Sequence, residues 1–194
     1  MRIGRFLIEQ LSEGIFEVYK DGSFHKIEAQ HIGAKPEAVK SRYSARIGID
    51  PLLVRTGKSN ILIDTGLGWG LDKKSTYVNT SNLKTNLDIF GLTPSDITHV
   101  VLSHLHFDHA AGSTYVDEQS ATQPTMPFAT YFVQKREWDY ALSQLEEKNN
   151  RMGAGYDLDE LFKLKADGKF EFLEKDYTEI LPGIQLIWTG GHTH

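Results

Sequence analysis

Residues 97–112 read ITHVVLSHLHFDHAAG. Its first half, with Val100, Val101 and Leu102, has the pattern of a strand buried on both faces. Its second half places three histidines and an aspartate within six residues: His104, His106, Asp108 and His109. In a chain with 8 histidines among 194 residues, composition alone would produce this arrangement on the order of once in a thousand such sequences. A buried strand running straight into a polar cluster delivers those side chains to a sheet edge, where a turn lets them converge. Imidazole nitrogens suit zinc and similar borderline metals, and neutral imidazole is available near pH 7. His104 and His106, two apart in extended backbone, point the same way and can grip one ion. Asp108 and His109 lie around the corner and can serve a second. The rival reading, solvated histidines with Asp108 as a plain helix cap, leaves the clustering without a cause.

On the N-terminal side, residues 51–55 and 60–64 form the clearest hairpin, PLLVR and NILID around Thr56-Gly57-Lys58-Ser59. The second arm is almost wholly aliphatic and ends in Asp64, followed by Thr65-Gly66. Residues 5–12 and 14–20 read as two further strands with a turn at Asp21-Gly22. Residues 24–44 are less regular and read as an insertion or lid. Leu83, Leu87 and Phe90 have helical spacing, with Gly91 as the stop. On the C-terminal side, residues 118–127 read as a surface loop and 129–134 as a strand. Residues 135–148 read as a helix with Trp138, Leu142 and Leu145 on one face. Asp157 and Glu160 are expected to form a capping box for a short helix through Lys165. Residues 170–173 and 184–189 read as strands. Strands and helices mix without regular alternation, which predicts an α/β or α+β sandwich with a mixed sheet. Residues 1–194 are expected to belong to a single domain.

Composition narrows the function. Cysteine is absent, which excludes thiol catalysis and a thiolate metal site. No apolar run approaches the ~18 residues of a membrane span. The first apolar stretches are interrupted by Arg5, Glu9 and Glu13, a poor secretory signal. A net charge of −5 argues against general nucleic-acid binding. The expectation is a soluble, cytoplasmic domain acting on a small molecule, with neither nucleic acid nor membrane as partner.

Two further pieces join the cluster. Residues 189–194 read TGGHTH: a strand ending in Gly-Gly bends tightly and presents His192 at a sheet edge. With His104 and His106 it completes three nitrogens, the donor set of an open, catalytic zinc. Asp64 is read as an acid that fixes a ligand's orientation from behind. Ser103 is read as structural, because adjacent strand residues point to opposite faces and would keep it from His104. His25, His31 and His99 have no clustered partner and are assigned ordinary surface or core roles. Trp69 is assigned to aromatic packing under a loop.

ILIDTG at residues 61–66, SHLHFDHAAG at 103–112 and TGGHT at 189–193 stand in the order of the first three motifs of the metallo-β-lactamase superfamily, which the chain resembles from about residue 51 onward. The resemblance implies a four-layer αβ/βα sandwich with a dinuclear site at one edge of two packed sheets. It implies His104, His106 and His192 on one metal, Asp108 and His109 on the second, and Asp64 in support. LLVRTGKSNILIDTG, FDHAAG and the Arg136-Glu137-Trp138 segment look most similar to the N-acyl-homoserine-lactonase group and related organophosphate hydrolases. That points to a dizinc hydrolase opening a lactone or ester-type bond with a water nucleophile, Asp108 orienting the water and passing on a proton. Iron, manganese and cobalt are alternative ions, and a homodimer is the assembly such proteins suggest. The family places a bridging aspartate and a further histidine beyond the third motif, and here only Thr193 and His194 follow. The chain is therefore expected to be the N-terminal part of a longer domain, with the second half of the sandwich incomplete. The alternatives are an iron-dependent redox enzyme on the same fold and an inactive truncated metal-binding fragment.

Overall fold

Neighbouring apolar residues in the central strands are buried on opposite sides of one sheet, which is why these strands are aliphatic throughout. The computed structural model describes residues 1–19, 24–27, 43–73, 81–148 and 155–193. Its strands are β1 (Arg2–Ile3), β2 (Phe6–Gln10), β3 (Gly14–Tyr19), β4 (Phe24–Lys26), β5 (Tyr43–Ile49), β6 (Leu52–Arg55) and β7 (Asn60–Ile63). There follow β8 (His99–Val101), β9 (Thr114–Val116), β10 (Thr122–Pro124), β11 (Thr130–Gln134), β12 (Phe170–Leu173), β13 (Tyr177–Leu181) and β14 (Ile184–Ile187). The helices are α1 (Leu83–Ile89), α2 (Phe107–Ala110), α3 (Lys135–Lys148) and α4 (Leu161–Ala166).

Seven strands form one mixed sheet in the order β1-β2-β6-β7-β8-β11-β12. The first four pair antiparallel, whereas β7, β8, β11 and β12 pair in parallel. The C-terminal ends of those parallel strands share one edge, the usual place for a ligand site in such a sheet. Leu53, Leu62, Val100, Tyr131 and Val133 pack on one face against Leu83 and Leu87 of α1, Trp138 and Ala141 of α3, and Leu161 and Leu164 of α4. Val54, Ile61, Val101, Phe132 and Leu173 face the other way, toward Ile180, Leu181, Ile184 and Leu186 of the β13–β14 hairpin. Adjacent pairs such as Ile61 and Leu62 thus divide between two cores, as a pleated strand requires. The architecture is a mixed α/β sandwich built on a large sheet. No described helix is long and apolar enough to cross a membrane.

Several expectations need correction. Residues 118–127 are not a surface loop: β10 pairs antiparallel with β9, and Thr125 and Met126 are buried. The Asp117 carboxylate accepts the N–H groups of Gln119 and Ala121, closing a tight turn that polar composition disguised as a loop. The capping box at α4 does not form. Asp157 accepts the Asp159 N–H instead, and the Glu160 carboxylate takes the Thr122 hydroxyl. The region at 24–44 contributes strands at both ends, β4 and the start of β5, each paired with β3; its middle lies outside the described residues, as does the turn at Asp21-Gly22. Strand β13 is an addition to the expected strands, half-buried on alternate residues at its start.

Candidate metal centre

Strand β8 ends at Val101, and the Leu102 N–H is still held by the Phe132 carbonyl of β11 at 2.9 Å. Beyond it the chain bends at Ser103 and is extended again at His106, the residue before the single turn of α2 (φ −61°, ψ 147°). In extended backbone consecutive side chains diverge, and Leu105 is fully buried in the helix-side core. His104 and His106 therefore leave on the other side together. His104 Nε2 lies 3.1 Å from His106 Nδ1. Their ring centroids lie 4.9 and 5.0 Å from that of His192. One ring nitrogen from each of His104, His106 and His192 falls within 4.8 Å of the others. Zn–N bonds of about 2.0–2.1 Å in a tetrahedral site separate neighbouring nitrogens by about 3.3 Å. The His104–His106 pair already has that spacing, and the three nitrogens together could hold a metal ion.

The opposite ring nitrogens are fixed from behind. Asp64 follows β7 with φ +59°, a left-handed conformation that aspartate tolerates better than most residues. Its carboxylate accepts the Ser103 N–H at 2.7 Å and the Ser103 hydroxyl at 2.8 Å. The Ser103 oxygen stands 3.0 Å from His104 Nδ1, so with its own proton given to Asp64 it accepts the Nδ1–H and leaves Nε2 bare. His109 Nδ1 donates to Asp64 Oδ2 at 2.8 Å, which frees His109 Nε2 in the same way. That nitrogen lies 3.7 Å from Asp108 Oδ2, a second pair of donor atoms beside the first set. The Ser103–His104 contact corrects the sequence argument. Residue 103 lies past the end of β8, so strand alternation no longer separates the two side chains.

Burial, followed by the neighbouring His109 and His106, pushes the His104 pKa down to about 3. Burial and then His192 also lower that of His106. Both imidazoles are neutral at pH 7, the form that binds metal. For His109 burial pulls downward, but the Asp64 hydrogen bond and the Asp64 and Asp108 charges outweigh it and raise the pKa.

Thr65 was quoted in the sequence without a role. It is fully buried, and its N–H and hydroxyl both donate to the His109 carbonyl, at 2.7 and 3.0 Å. Gly112 completes this fit, since a Cβ there would lie 2.1 Å from the Thr65 carbonyl oxygen. Glu137 and Tyr156 were also missed. Glu137 accepts the Leu105 N–H, and the Tyr156 ring lies 4.7 Å from His106. Their one sequence signal is an acid in the first turn of a helix that follows a buried strand. Trp69 packs edge-on against Phe16 at 5.9 Å, the aromatic packing expected of it. His99 stacks on Phe132, away from the cluster. The side chain of His25 and all of His31 and His194 lie outside the described residues. A cavity of about 490 Å³ opens beside His104 and His192, lined by Phe132, Leu173, Leu186 and Trp188 among others.

A family model described as the metallo-beta-lactamase superfamily matches residues 48–194. The N-acyl homoserine lactonase AiiA of Bacillus thuringiensis subsp. kurstaki is 27% identical over 158 residues, covering 73% of this chain and 53% of that protein. The chain thus spans about half the length of the curated relatives it matches. A probable metal-dependent hydrolase from Staphylococcus aureus superposes with a TM-score of 0.68 at 26% identity, over 100% of this chain and 67% of that one. AidC, described as a dizinc quorum-quenching lactonase, superposes with a TM-score of 0.62 at 24% identity, over 93% and 62%.

Proposed function

Since the chain belongs to the metallo-β-lactamase superfamily, we propose that it forms part of a metal-dependent hydrolase that opens a lactone or cleaves a related ester-type bond. The observation that carries this reading is the convergence of His104, His106 and His192 within 4.8 Å, two of them held neutral by burial. The reading assigns these three to a first metal and Asp108 with His109 to a second, both zinc. The lactonases among its relatives support the substrate class, and the dizinc lactonase that shares the fold supports the ion and its number. A cavity of about 490 Å³ beside His104 and His192 is of the size that takes a small molecule.

Metal ions held here would supply Lewis acidity and a water acidic enough to act as nucleophile near neutral pH. The chain's own residues do the rest. Asp64 fixes the rings of His109 directly and His104 through Ser103, so neither rotates when a substrate arrives. Thr65 locks the backbone of His109. Asp108, with its side chain 19% exposed beside His109, would orient the attacking water, take the proton that water loses and pass it to the leaving alkoxide.

Elemental analysis of the purified protein, with a lactone-opening assay that follows the released proton, tests this. Zinc retained by the protein and lost from a His104→Ala variant, together with turnover of N-acyl homoserine lactones, is the expected result. Wild-type protein that binds no metal, or a visible spectrum with bands characteristic of iron, would overturn it.

A further inference from the structure

Glu137 is a buried charge for which the proposed chemistry has no use. It lies in the first turn of α3, three residues past the end of β11, and is only 5% exposed. Because β8 and β11 are parallel neighbours, the turn that follows β8 and the first turn of α3 emerge side by side. Glu137 Oε1 accepts the backbone N–H of Leu105 at 2.9 Å. Leu105 is the residue between His104 and His106, and its side chain is locked in the core. The segment carrying both imidazoles is therefore held from two directions, by an apolar anchor and by a charged acceptor on its amide.

Among the described residues, no hydrogen bond of good geometry reaches the other carboxylate oxygen, Oε2, or the Tyr156 hydroxyl. The two groups are close enough to interact directly. Tyr156 in turn stacks obliquely on His106, with ring centroids 4.7 Å apart. A neutral acceptor would satisfy one amide N–H at far less desolvation cost than a carboxylate buried to this degree. The placement makes sense if the geometry of the histidine pair is what Glu137 secures.

Resting on the metal-centre reading above, we propose that Glu137 is a positioning residue: its bond to the Leu105 amide sets the spacing of His104 and His106 and so tunes the affinity of the first metal site. Groups that hold ligands from behind typically alter metal affinity by about 10- to 100-fold when removed.

The test titrates metal-stripped protein with Zn²⁺ against a chromophoric chelator, and separately with Co²⁺ while recording its visible bands. The variants are Glu137→Ala, Glu137→Gln and, as a control on the site itself, His192→Ala. Glu137→Ala is expected to bind the first Zn²⁺ about 10- to 100-fold more weakly and to shift the Co²⁺ bands. Glu137→Gln keeps an oxygen for the Leu105 N–H and is expected to retain wild-type affinity and spectrum. A folded Glu137→Ala with unchanged affinity and spectrum would overturn the inference, as would a Gln variant impaired as severely as Ala. Should Glu137→Ala fail to fold, Glu137→Asp replaces it, because its shorter arm falls short of the Leu105 amide; wild-type affinity there overturns the proposal. If His192→Ala binds as tightly as wild type, the metal-centre reading itself fails, a result separate from an inert Glu137.

Discussion

Replacing Asp64 by Asn sets an N–H against an N–H whichever way the new amide turns. One carboxylate oxygen accepts the Ser103 backbone N–H at 2.7 Å, and the other accepts the Ser103 hydroxyl and the His109 Nδ1–H, both at 2.8 Å. An amide has a single acceptor oxygen. If that oxygen faces Ser103 N, the NH₂ confronts His109 Nδ1–H; turned the other way, it confronts the Ser103 amide. Asparagine tolerates the left-handed φ of +59° at this position, so the backbone has no separate reason to move. The system can escape by shifting the His109 proton from Nδ1 to Nε2, but that occupies the nitrogen proposed to bind the second ion. An unpaired buried donor costs about 1–3 kcal/mol, a factor of about 5 to 150 in an equilibrium constant. With the Asp64 side chain 15% exposed, solvent relieves part of this, and the second equivalent of zinc is expected to bind about 10- to 30-fold more weakly. The assay pairs a chelator-competition titration with long-range ¹⁵N spectra that report which nitrogen of His109 carries the proton. Wild-type affinity for both equivalents, with the proton still on Nδ1, would refute the reasoning.

Other perturbations follow from the same contacts. Asp108→Asn is expected to abolish lactone turnover while first-site zinc, measured by elemental analysis, stays near the wild-type level; full activity would remove Asp108 from the mechanism. Gly112→Ala forces a Cβ to 2.1 Å from the Thr65 carbonyl oxygen, and denaturant titration should show a loss of about 1–3 kcal/mol. Glu13 is 1% exposed, and its pKa is raised above 4.5 by burial, against the lowering effects of the Ser81 and Asn82 hydrogen bonds. The folded state therefore keeps this proton to higher pH than the unfolded chain does. The stability it contributes is fully present below pH 4.5 and is lost as pH rises through the folded-state pKa. Melting temperatures of wild type and Glu13→Gln should diverge across that window, and parallel curves would contradict the assignment.

What the sequence reveals and what it hides divide along the range of the interactions. Ile61, Leu62, Val100 and Val101 announce strands with two buried faces because the sheet demands apolar residues at consecutive positions. His104, His106, Asp108 and His109 are legible because one turn of chain brings them together. His192 is legible only through the Gly-Gly that precedes it, and its approach to within 4.8 Å of the others is a property of the folded sheet. Glu137 is marked locally only as an acid in the first turn of a helix after a buried strand, and Tyr156 not at all, since what distinguishes them is proximity in the folded chain. Ser103 was judged by strand alternation at a position where the strand had already ended. Strand β10 was hidden by polar residues that find partners in the fold, Gln123 in the nearby Asp117 and Thr122 in the distant Glu160.

Diffraction from crystals of zinc-loaded protein, with data collected on both sides of the zinc absorption edge, bears most directly on the histidine trio. An anomalous peak is predicted about 2.0–2.1 Å from a ring nitrogen of each of His104, His106 and His192. A zinc peak elsewhere, or one bound by the first two while His192 points away from it, would contradict the account.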